Sequence, residues 1–302
     1  MHRRTFLAGT AAGLAGAALA GGRSDARKPA PLLERPIPSS GEKIPALGLG
    51  TWQTFDVSGA RIAAVQPVLD RFIALGERLV DSSPMYGNAE AAVGAMLKAR
   101  GAGAVRPFLA TKVWTSGAKE GAAQMKRSAD RFGVKTIDLM QVHNLMDWKT
   151  HLPRMRDWKQ AGTFRYIGVT HYQHGAFAEL EQIIRKEKID SVQLPYSVVD
   201  REAEKRLLPA AADAGVAVLV LSPFESGVLF RRVKGMALPA WAADIDCTSW
   251  AQVFLKFLLG HPAVTCPLPA TDKVKHVEDN LGALRGRLPD EKLRDRIARD
   301  LS

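Results

Sequence analysis

The chain has 302 residues, of which 46% are hydrophobic and 24% are charged, as in an ordinary soluble globular protein. Its formal net charge is +11, but no long run of like charges occurs and the aromatic residues are not interleaved with lysine and arginine, which argues against a nucleic-acid partner. The two cysteines, Cys247 and Cys266, lack CxxC or metal-ligand spacing, so we expect buried thiols, with a single disulfide as the alternative.

The first twenty residues predict an export signal. Met1–Leu7 is a charged start with paired arginines, and a Gly/Ala/Leu-rich run follows it and ends in Ala18-Leu19-Ala20, a small-residue cleavage site. The Arg-Arg-x-Phe-Leu pattern resembles a twin-arginine signal, and an uncleaved N-terminal helix is the alternative. We therefore expect residues 1–20 to be a signal peptide and 21–34 a flexible leader. The mature protein is expected to be periplasmic or otherwise exported, without stable membrane insertion.

Residues 35–302 are predicted to form one domain. It opens with a hairpin over residues 35–45, in which Ser39-Ser40-Gly41-Glu42 separates two short extended pieces. Eight units follow, each an apolar strand and then an amphipathic helical pattern. The predicted strands cover residues 46–50, 78–81, 107–112, 137–143, 165–169, 191–194, 216–222 and 264–267. A polar helix is predicted from Leu288 to the end.

These eight units predict an α/β fold, a closed (β/α)₈ TIM barrel whose bottom is capped by the hairpin. The strands are apolar throughout, which is typical of parallel strands covered on both faces. A doubly wound open sheet is the alternative. Such a sheet usually carries GxGxxG after its first strand, and Gly48-Leu49-Gly50-Thr51 does not match that pattern.

Ionisable residues stand at the ends of three successive predicted strands. Asp81 ends the second strand and Tyr86 lies in the loop after it, while Lys112 ends the third strand and His143 the fourth. Barrel enzymes carry their sites at the C-terminal ends of the strands, and neighbouring strands lie about 5 Å apart, so these four side chains can converge.

The four residue types suit proton transfer to a carbonyl oxygen. A free tyrosine has a pKa of about 10, and an adjacent lysine ammonium is expected to lower it. Asp81 can hold Lys112 in place, and His143 can donate a hydrogen bond to a substrate oxygen. A buried, purely structural Asp–Lys pair is the alternative for these residues taken singly.

From residue 36 to residue 285 the chain resembles the aldo-keto reductases. The matching segments are Leu47–Trp52, Asp81–Gly87, Ala110–Lys112, Asp138–Asn144, Arg165–Thr170, Gln193–Ser197, Leu268–Thr271 and Glu278–Asn280. The resemblance implies a (β/α)₈ barrel that reduces aldehydes and ketones with NAD(P)H. It also implies that Tyr86 donates the proton and that Lys112, with Asp81 behind it, adjusts the pKa of Tyr86. His143 is implied to orient the carbonyl.

The resemblance also implies a set of cofactor-binding residues. They are Thr51, Trp52, Thr170, His171, Gln193, Leu221, Ser222, Thr271, Lys273, His276, Asp279 and Asn280. Thr170-His171 stands where the family usually has Ser-Asn, and Leu221 replaces an aromatic residue that stacks on the nicotinamide. His276 takes the place of an arginine facing the 2′-phosphate, and Lys273 and Lys275 can supply that charge. We expect NADPH, with NADH as the alternative.

Trp52, Trp114 and Trp148 are predicted to line an apolar substrate pocket, with simple packing as the alternative. No metal site is expected, because His171, His174 and His151 lack supporting carboxylates or cysteines. We expect a monomer that acts on a small carbonyl compound. A nucleotide-binding accessory module with little turnover, and a barrel enzyme using Lys112 as a Schiff base, are the alternative functions.

Overall fold

The computed structural model describes residues 32–301, so the predicted signal peptide and residues 21–31 of the predicted leader lie outside the described residues. The strands are β1 (Glu34–Pro36), β2 (Lys43–Pro45), β3 (Leu49–Gly50), β4 (Leu79–Asp81), β5 (Phe108–Val113), β6 (Ile137–His143), β7 (Phe164–Thr170), β8 (Ser191–Pro195), β9 (Ala217–Leu221) and β10 (Val264–Pro267). The α-helices are α1 (Ile62–Ala74), α2 (Ala89–Ala99), α3 (Ala118–Phe132), α4 (Trp148–Gln160), α5 (Phe177–Lys186), α6 (Glu202–Lys205), α7 (Leu207–Ala214), α8 (Val228–Arg232), α9 (Trp250–Leu259), α10 (Val274–Gly282) and α11 (Glu291–Leu301).

Strands β3 to β10 form one parallel sheet in chain order, and the sheet closes on itself. The closing contacts join β3 to the end of β10: the Gly48 N–H donates to Pro267 O at 2.9 Å, and the Gly50 N–H donates to Pro269 O at 3.0 Å. Glycine permits this close approach: a Cβ at Gly50 would lie 3.1 Å from Leu268 O, and one at Gly48 would meet the Leu268 side chain at 2.4 Å. The predicted (β/α)₈ barrel is confirmed.

The hairpin of β1 and β2 covers the N-terminal end of the barrel. Ile37 and Ile44 belong to one buried cluster with the inward side chains of the strands, among them Leu79, Phe108 and Tyr166. The apolar layer that fills the bottom of the barrel therefore includes the hairpin, and the predicted cap is confirmed.

The folded chain begins before residue 35, where the domain was predicted to start. Leu33 donates its backbone N–H to Leu284 O at 3.0 Å, and β1 starts at Glu34. The other bounds differ from the predicted ones by a few residues. The helical pattern that follows the predicted strand 191–194 covers residues 201–214, and the structure divides it into α6 and α7 at Arg206, where φ is −138°. Among the described residues no helix is long and apolar enough to cross a membrane.

Candidate active site

The C-terminal ends of β4, β5 and β6 bring three of the predicted catalytic residues together. Asp81, Lys112 and His143 are each the last or next-to-last residue of their strand, and all three are almost fully buried. Tyr86 follows β4 in its loop and is half-buried. The predicted convergence of the four side chains rests on strand register, since β4, β5 and β6 are consecutive parallel neighbours.

The Asp81 carboxylate is surrounded by donors. Lys112 Nζ lies 2.7 Å from Asp81 Oδ2 and also donates to Ser82 O at 2.7 Å. The side-chain amides of Gln141 and Gln193 reach the two carboxylate oxygens at 3.3 Å each. A carboxylate paired in this way fixes the ammonium group in place.

Lys112 is a charged group held against the Tyr86 ring. Burial favours the neutral amine, but the Asp81 carboxylate and Tyr86 outweigh it, so the pKa of Lys112 lies above its usual value. Its Nζ is 5.0 Å from the centroid of the Tyr86 ring. The predicted contact between the ammonium and the phenol is present.

The net pKa shift of Tyr86 is upward, although Lys112 acts in the expected direction. Burial raises the pKa of Tyr86, and the nearby Lys112 charge only partly offsets that rise. Lys112 thus lowers the pKa of the phenol, as expected, but the effect of burial is larger. The phenol carries its proton at neutral pH, which is the form a proton donor needs.

His143 is a neutral imidazole at the edge of this cluster. Burial, together with the positive charge of Lys112 and the neighbouring His171, lowers the pKa of His143 to about 2. Its ring meets the Tyr86 ring edge-on, with centroids 5.9 Å apart. Its Nδ1 lies 3.0 Å from Ser83 Oγ, a partner that the sequence reasoning missed although Ser83 lies inside the Asp81–Tyr86 segment.

Five of the predicted cofactor residues lie in the strand ends and loops around the four predicted catalytic residues. Thr51 is buried and donates to Asp81 O at 2.9 Å, and the exposed Trp52 follows it in the chain. Thr170 pairs in register with His143 on one side and with Gln193 on the other, and the His171 N–H donates to Gln193 O at 3.2 Å. The strand ends of β6, β7 and β8 thus place these groups along one edge.

A buried acceptor at this edge fits the carboxamide of a nicotinamide ring. Gln193 Oε1 is buried and has no hydrogen-bond partner among residues 32–301. An unpaired buried acceptor costs free energy unless a ligand satisfies it, and a carboxamide N–H is a suitable donor. The residues present therefore fit a nicotinamide cofactor.

The remaining predicted cofactor residues follow β9 and β10. Leu221 ends β9 half-buried, and Ser222 after it has φ of 52°, in the left-handed region that a serine rarely adopts. At the other loop, Thr271 Oγ1 lies 3.2 Å from His276 Nδ1, with the exposed Lys273 between them in the chain.

Two adjacent residues on α10, Asp279 and Asn280, complete the predicted cofactor-binding set. Asp279 already accepts a hydrogen bond from the Gln252 side chain at 2.9 Å, and Asn280 is buried. β9 and β10 come last in the barrel and β10 closes against β3, so both loops lie at the C-terminal rim. That placement brings this group to the same end of the barrel as the catalytic four.

Of the three predicted pocket tryptophans, Trp114 has its ring beside that of His143. Its ring centroid is 6.5 Å from that of His143, and its side chain is 37% exposed. Trp148 is half-buried, and its indole N–H donates to Glu179 on α5 at 2.8 Å. The sequence reasoning did not single out Met85 and Tyr172, two further exposed apolar side chains in the loops after β4 and β7.

The histidines considered as metal ligands have separate protein partners. His151 Nε2 lies 2.6 Å from Thr115 O, and His174 Nε2 lies 2.8 Å from Asp200 Oδ2. Within residues 32–301 no group of three or more metal-binding side chains is assembled. Cys247 and Cys266 are both buried free thiols.

The model of the Aldo/keto reductase family matches residues 46–296, so the chain belongs to that family. The match covers β3 to β10 and all four catalytic candidates.

Individual proteins agree with this assignment. The chain is 32% identical over 159 residues to "Uncharacterized oxidoreductase C215.11c" of Schizosaccharomyces pombe, a match that covers 52% of this chain and spans only half (50%) of that relative's length. It is 25% identical to the "NADH-specific methylglyoxal reductase" of Escherichia coli, over 87% of this chain and 92% of the relative. An aldo/keto reductase from Klebsiella pneumoniae, solved with NADP and acetate, has the same fold, with a TM-score of 0.71, 22% identity and coverage of 86% of this chain and 93% of the other.

Proposed function

We propose that this protein is an NAD(P)H-dependent reductase of aldehydes and ketones in which Tyr86 is the proton donor. The observation that carries the proposal is the buried chain of contacts from Asp81 through Lys112 to the Tyr86 ring, with His143 beside it. A protonated phenol, a fixed cation and a neutral imidazole are the groups that carbonyl reduction needs at the oxygen.

The cofactor, when bound, supplies a hydride to the carbonyl carbon. As the C=O bond becomes a C–O single bond, negative charge develops on the oxygen and Tyr86 transfers its proton there, which leaves a phenolate. Lys112 stabilises that phenolate, and Asp81 keeps Lys112 charged and in place. Solvent then returns a proton to Tyr86, which completes the proton balance of the reaction.

Neutral His143 orients the substrate in this scheme. A neutral imidazole can donate one hydrogen bond to the carbonyl oxygen without adding a positive charge beside Lys112. Around it the exposed side chains of Trp52, Met85, Trp114 and Tyr172 give the rim an apolar, largely aromatic character. We therefore infer that apolar or aromatic aldehydes are better substrates than sugars.

The test is the loss of NADPH absorbance with nitrobenzaldehyde. Wild-type protein is expected to turn over, and Tyr86→Phe is expected to lose at least about 10²-fold in kcat because the proton donor is gone. Tyr166→Phe is the matched control. It removes a phenol at the opposite end of the barrel, where Tyr166 bonds to Ser40, and should keep its activity. Equal activity of Tyr86→Phe and wild type would reject the role of Tyr86.

A nucleotide-binding module of the same fold is the second candidate, favoured by Leu221 in place of an aromatic residue and by Thr170-His171. It predicts tight cofactor binding without turnover on a broad panel of carbonyl compounds.

A Schiff-base function of Lys112 is disfavoured, because its amine is charged, 1% exposed and bonded to Asp81. Trapping with borohydride would reveal such an adduct.

The twin-arginine-like start leads to a proposal on location. We propose that the protein is exported folded, with its cofactor bound in the cytoplasm before transport, because soluble NADPH is not expected outside it. Mass spectrometry of the purified exported form should find nucleotide in near-stoichiometric amount. Exported protein without nucleotide would contradict the proposal, as would cytoplasmic retention of the full chain.

A further inference from the structure

The two ring nitrogens of His143 have different surroundings. Nδ1 lies 3.0 Å from the hydroxyl oxygen of Ser83, whose side chain is fully buried in the loop after β4. Nε2 has no hydrogen-bond partner among residues 32–301. A neutral imidazole carries one proton, so the position of that proton depends on which arrangement satisfies Ser83.

The Ser83 hydroxyl needs an acceptor for its own hydrogen. Its oxygen already accepts the backbone N–H of Met85 at 3.3 Å. Within the described part of the chain, the acceptor in reach of its hydrogen is His143 Nδ1. If Nδ1 carried the proton instead, the Ser83 hydrogen would be buried without an acceptor, at a cost of about 1–3 kcal/mol.

We propose that Ser83 is a positioning residue that holds His143 in the tautomer with its proton on Nε2. The functional consequence rests on the proposed carbonyl reduction: Nε2–H donates to the substrate oxygen, whereas an unprotonated Nε2 would present a lone pair to it and repel it. Ser83 acts through His143 and does not itself touch the reacting atoms.

Nitrogen NMR on the ligand-free full chain labelled with ¹⁵N-histidine reads the tautomer directly. Wild type should show His143 protonated on Nε2. Ser83→Ala removes the hydroxyl and should give a mixture of the two tautomers, and Ser83→Thr, which keeps a hydroxyl at this position, should restore the Nε2 form. Ser128→Ala is the matched control, because Ser128 is a buried serine on α3 without a hydrogen-bond partner for its Oγ among the described residues.

Kinetics provide the second readout. Ser83→Ala should lower kcat/KM for an aldehyde in proportion to the fraction of the Nε2-protonated form that is lost, about twofold for an equal mixture of tautomers, and leave NADPH affinity unchanged. Protonation of Nδ1 in wild type, or an unaltered tautomer in Ser83→Ala, would overturn the role of Ser83. Absence of turnover in wild type would instead contradict the proposed function, so the two failures are distinguishable.

Discussion

At the scale of single residues, the pH range of activity depends on Tyr86 and His143. In the proposed mechanism Tyr86 must be protonated to act, and burial raises its pKa above the ordinary value of about 10, with Lys112 offsetting part of that rise. His143 has a pKa of about 2 and stays neutral at any working pH. We therefore expect kcat/KM for reduction to be flat between about pH 5 and 9.

The measurement is initial rate against pH in buffers of constant ionic strength. A decline is expected only in the alkaline limb, where Tyr86 loses its proton. Lys112→Met should lower the rate by at least about 10²-fold, because the phenolate formed on proton transfer loses its cation. A break in the wild-type profile at about pH 6.5, the ordinary pKa of histidine, would show that His143 titrates and would contradict the burial argument.

Glu77 is a buried carboxyl that the proposed mechanism does not use. It precedes β4, it is 0% exposed, and neither of its carboxyl oxygens makes a side-chain hydrogen bond of good geometry within the described residues. Burial raises the pKa of Glu77 well above its usual value, and the Arg78 backbone N–H and the charge of Arg285 offset only part of that rise. The folded protein thus holds a proton that the unfolded chain releases above about pH 4.3.

This proton makes stability depend on pH with a definite sign. Between the unfolded and the raised folded pKa the native state binds more protons, so the free energy of unfolding falls as pH rises. Glu77→Gln should remove that slope and stabilise the protein at pH 8 by about 1–3 kcal/mol, measured by urea denaturation at pH 5 and pH 8. Glu34→Gln, at an exposed glutamate on β1, is the control and should leave the slope intact. If the free energy of unfolding of Glu77→Gln varied with pH as steeply as that of wild type, the Glu77 carboxyl would have to be hydrated.

At the scale of elements, one arginine fixes the C-terminal helix to the barrel. Arg294 on α11 is 5% exposed, donates to Phe257 O at 3.0 Å and contacts Glu204 Oε1 at 2.5 Å. Its guanidinium also lies over the Phe257 ring, 4.7 Å from the centroid, and donates to the Tyr196 hydroxyl. The amphipathic pattern predicted the helix, but it did not identify this buried cation as its anchor.

Arg294→Ala should destabilise the protein by about 3 kcal/mol, because Glu204 and Tyr196 lose a buried partner while Arg201 continues to pair with Glu204. Arg296→Ala, on the same helix, removes an exposed pair with Asp300 at 3.8 Å and should cost less than about 1 kcal/mol. Urea denaturation of both variants gives the comparison. Equal losses would mean that Arg294 contributes only surface charge.

Sequence patterns predicted the strands and helices well because burial on both faces makes parallel strands apolar, as in β5 and β6. They failed where a local conformation depends on tertiary contacts, as at Arg206, where one helical pattern divides into two helices. The same limit applied in the site: the spacing of Asp81, Lys112 and His143 is a property of the strands. The extent of Tyr86 burial and the Ser83 contact depend on how the loops pack over them.

At the scale of the whole molecule, the barrel separates stability from function. The hairpin and the apolar layer formed by Ile37, Ile44 and Tyr166 fill one end, while the strand ends at the other carry the polar groups. At the functional end Gln193 Oε1 is buried without a partner among residues 32–301, and a ligand can satisfy it there. Cofactor binding should therefore raise the stability of the entire cooperative unit.

The preference for NADPH or NADH can be measured from the rise in stability that each cofactor causes. At about 100 times its Kd, a ligand that binds only the folded state stabilises it by about 2.7 kcal/mol, which appears as a rise in Tm. Lys273 and Lys275 are exposed beside His276, and burial and these two lysines lower the pKa of His276. The lysines therefore carry the positive charge available to a 2′-phosphate near pH 7, so we expect NADPH to raise Tm more than NADH does at equal concentration.

Charge reversal tests this assignment. Lys273→Glu should reduce the NADPH-induced rise in Tm and leave the NADH-induced rise unchanged, because only NADPH carries the 2′-phosphate. Lys292→Glu on α11 is the matched control, an exposed lysine on a helix outside the proposed site. A larger shift with NADH in wild type would reverse the preference and place this chain with the NADH-specific relative, since both cofactors share the nicotinamide end and differ only at this phosphate.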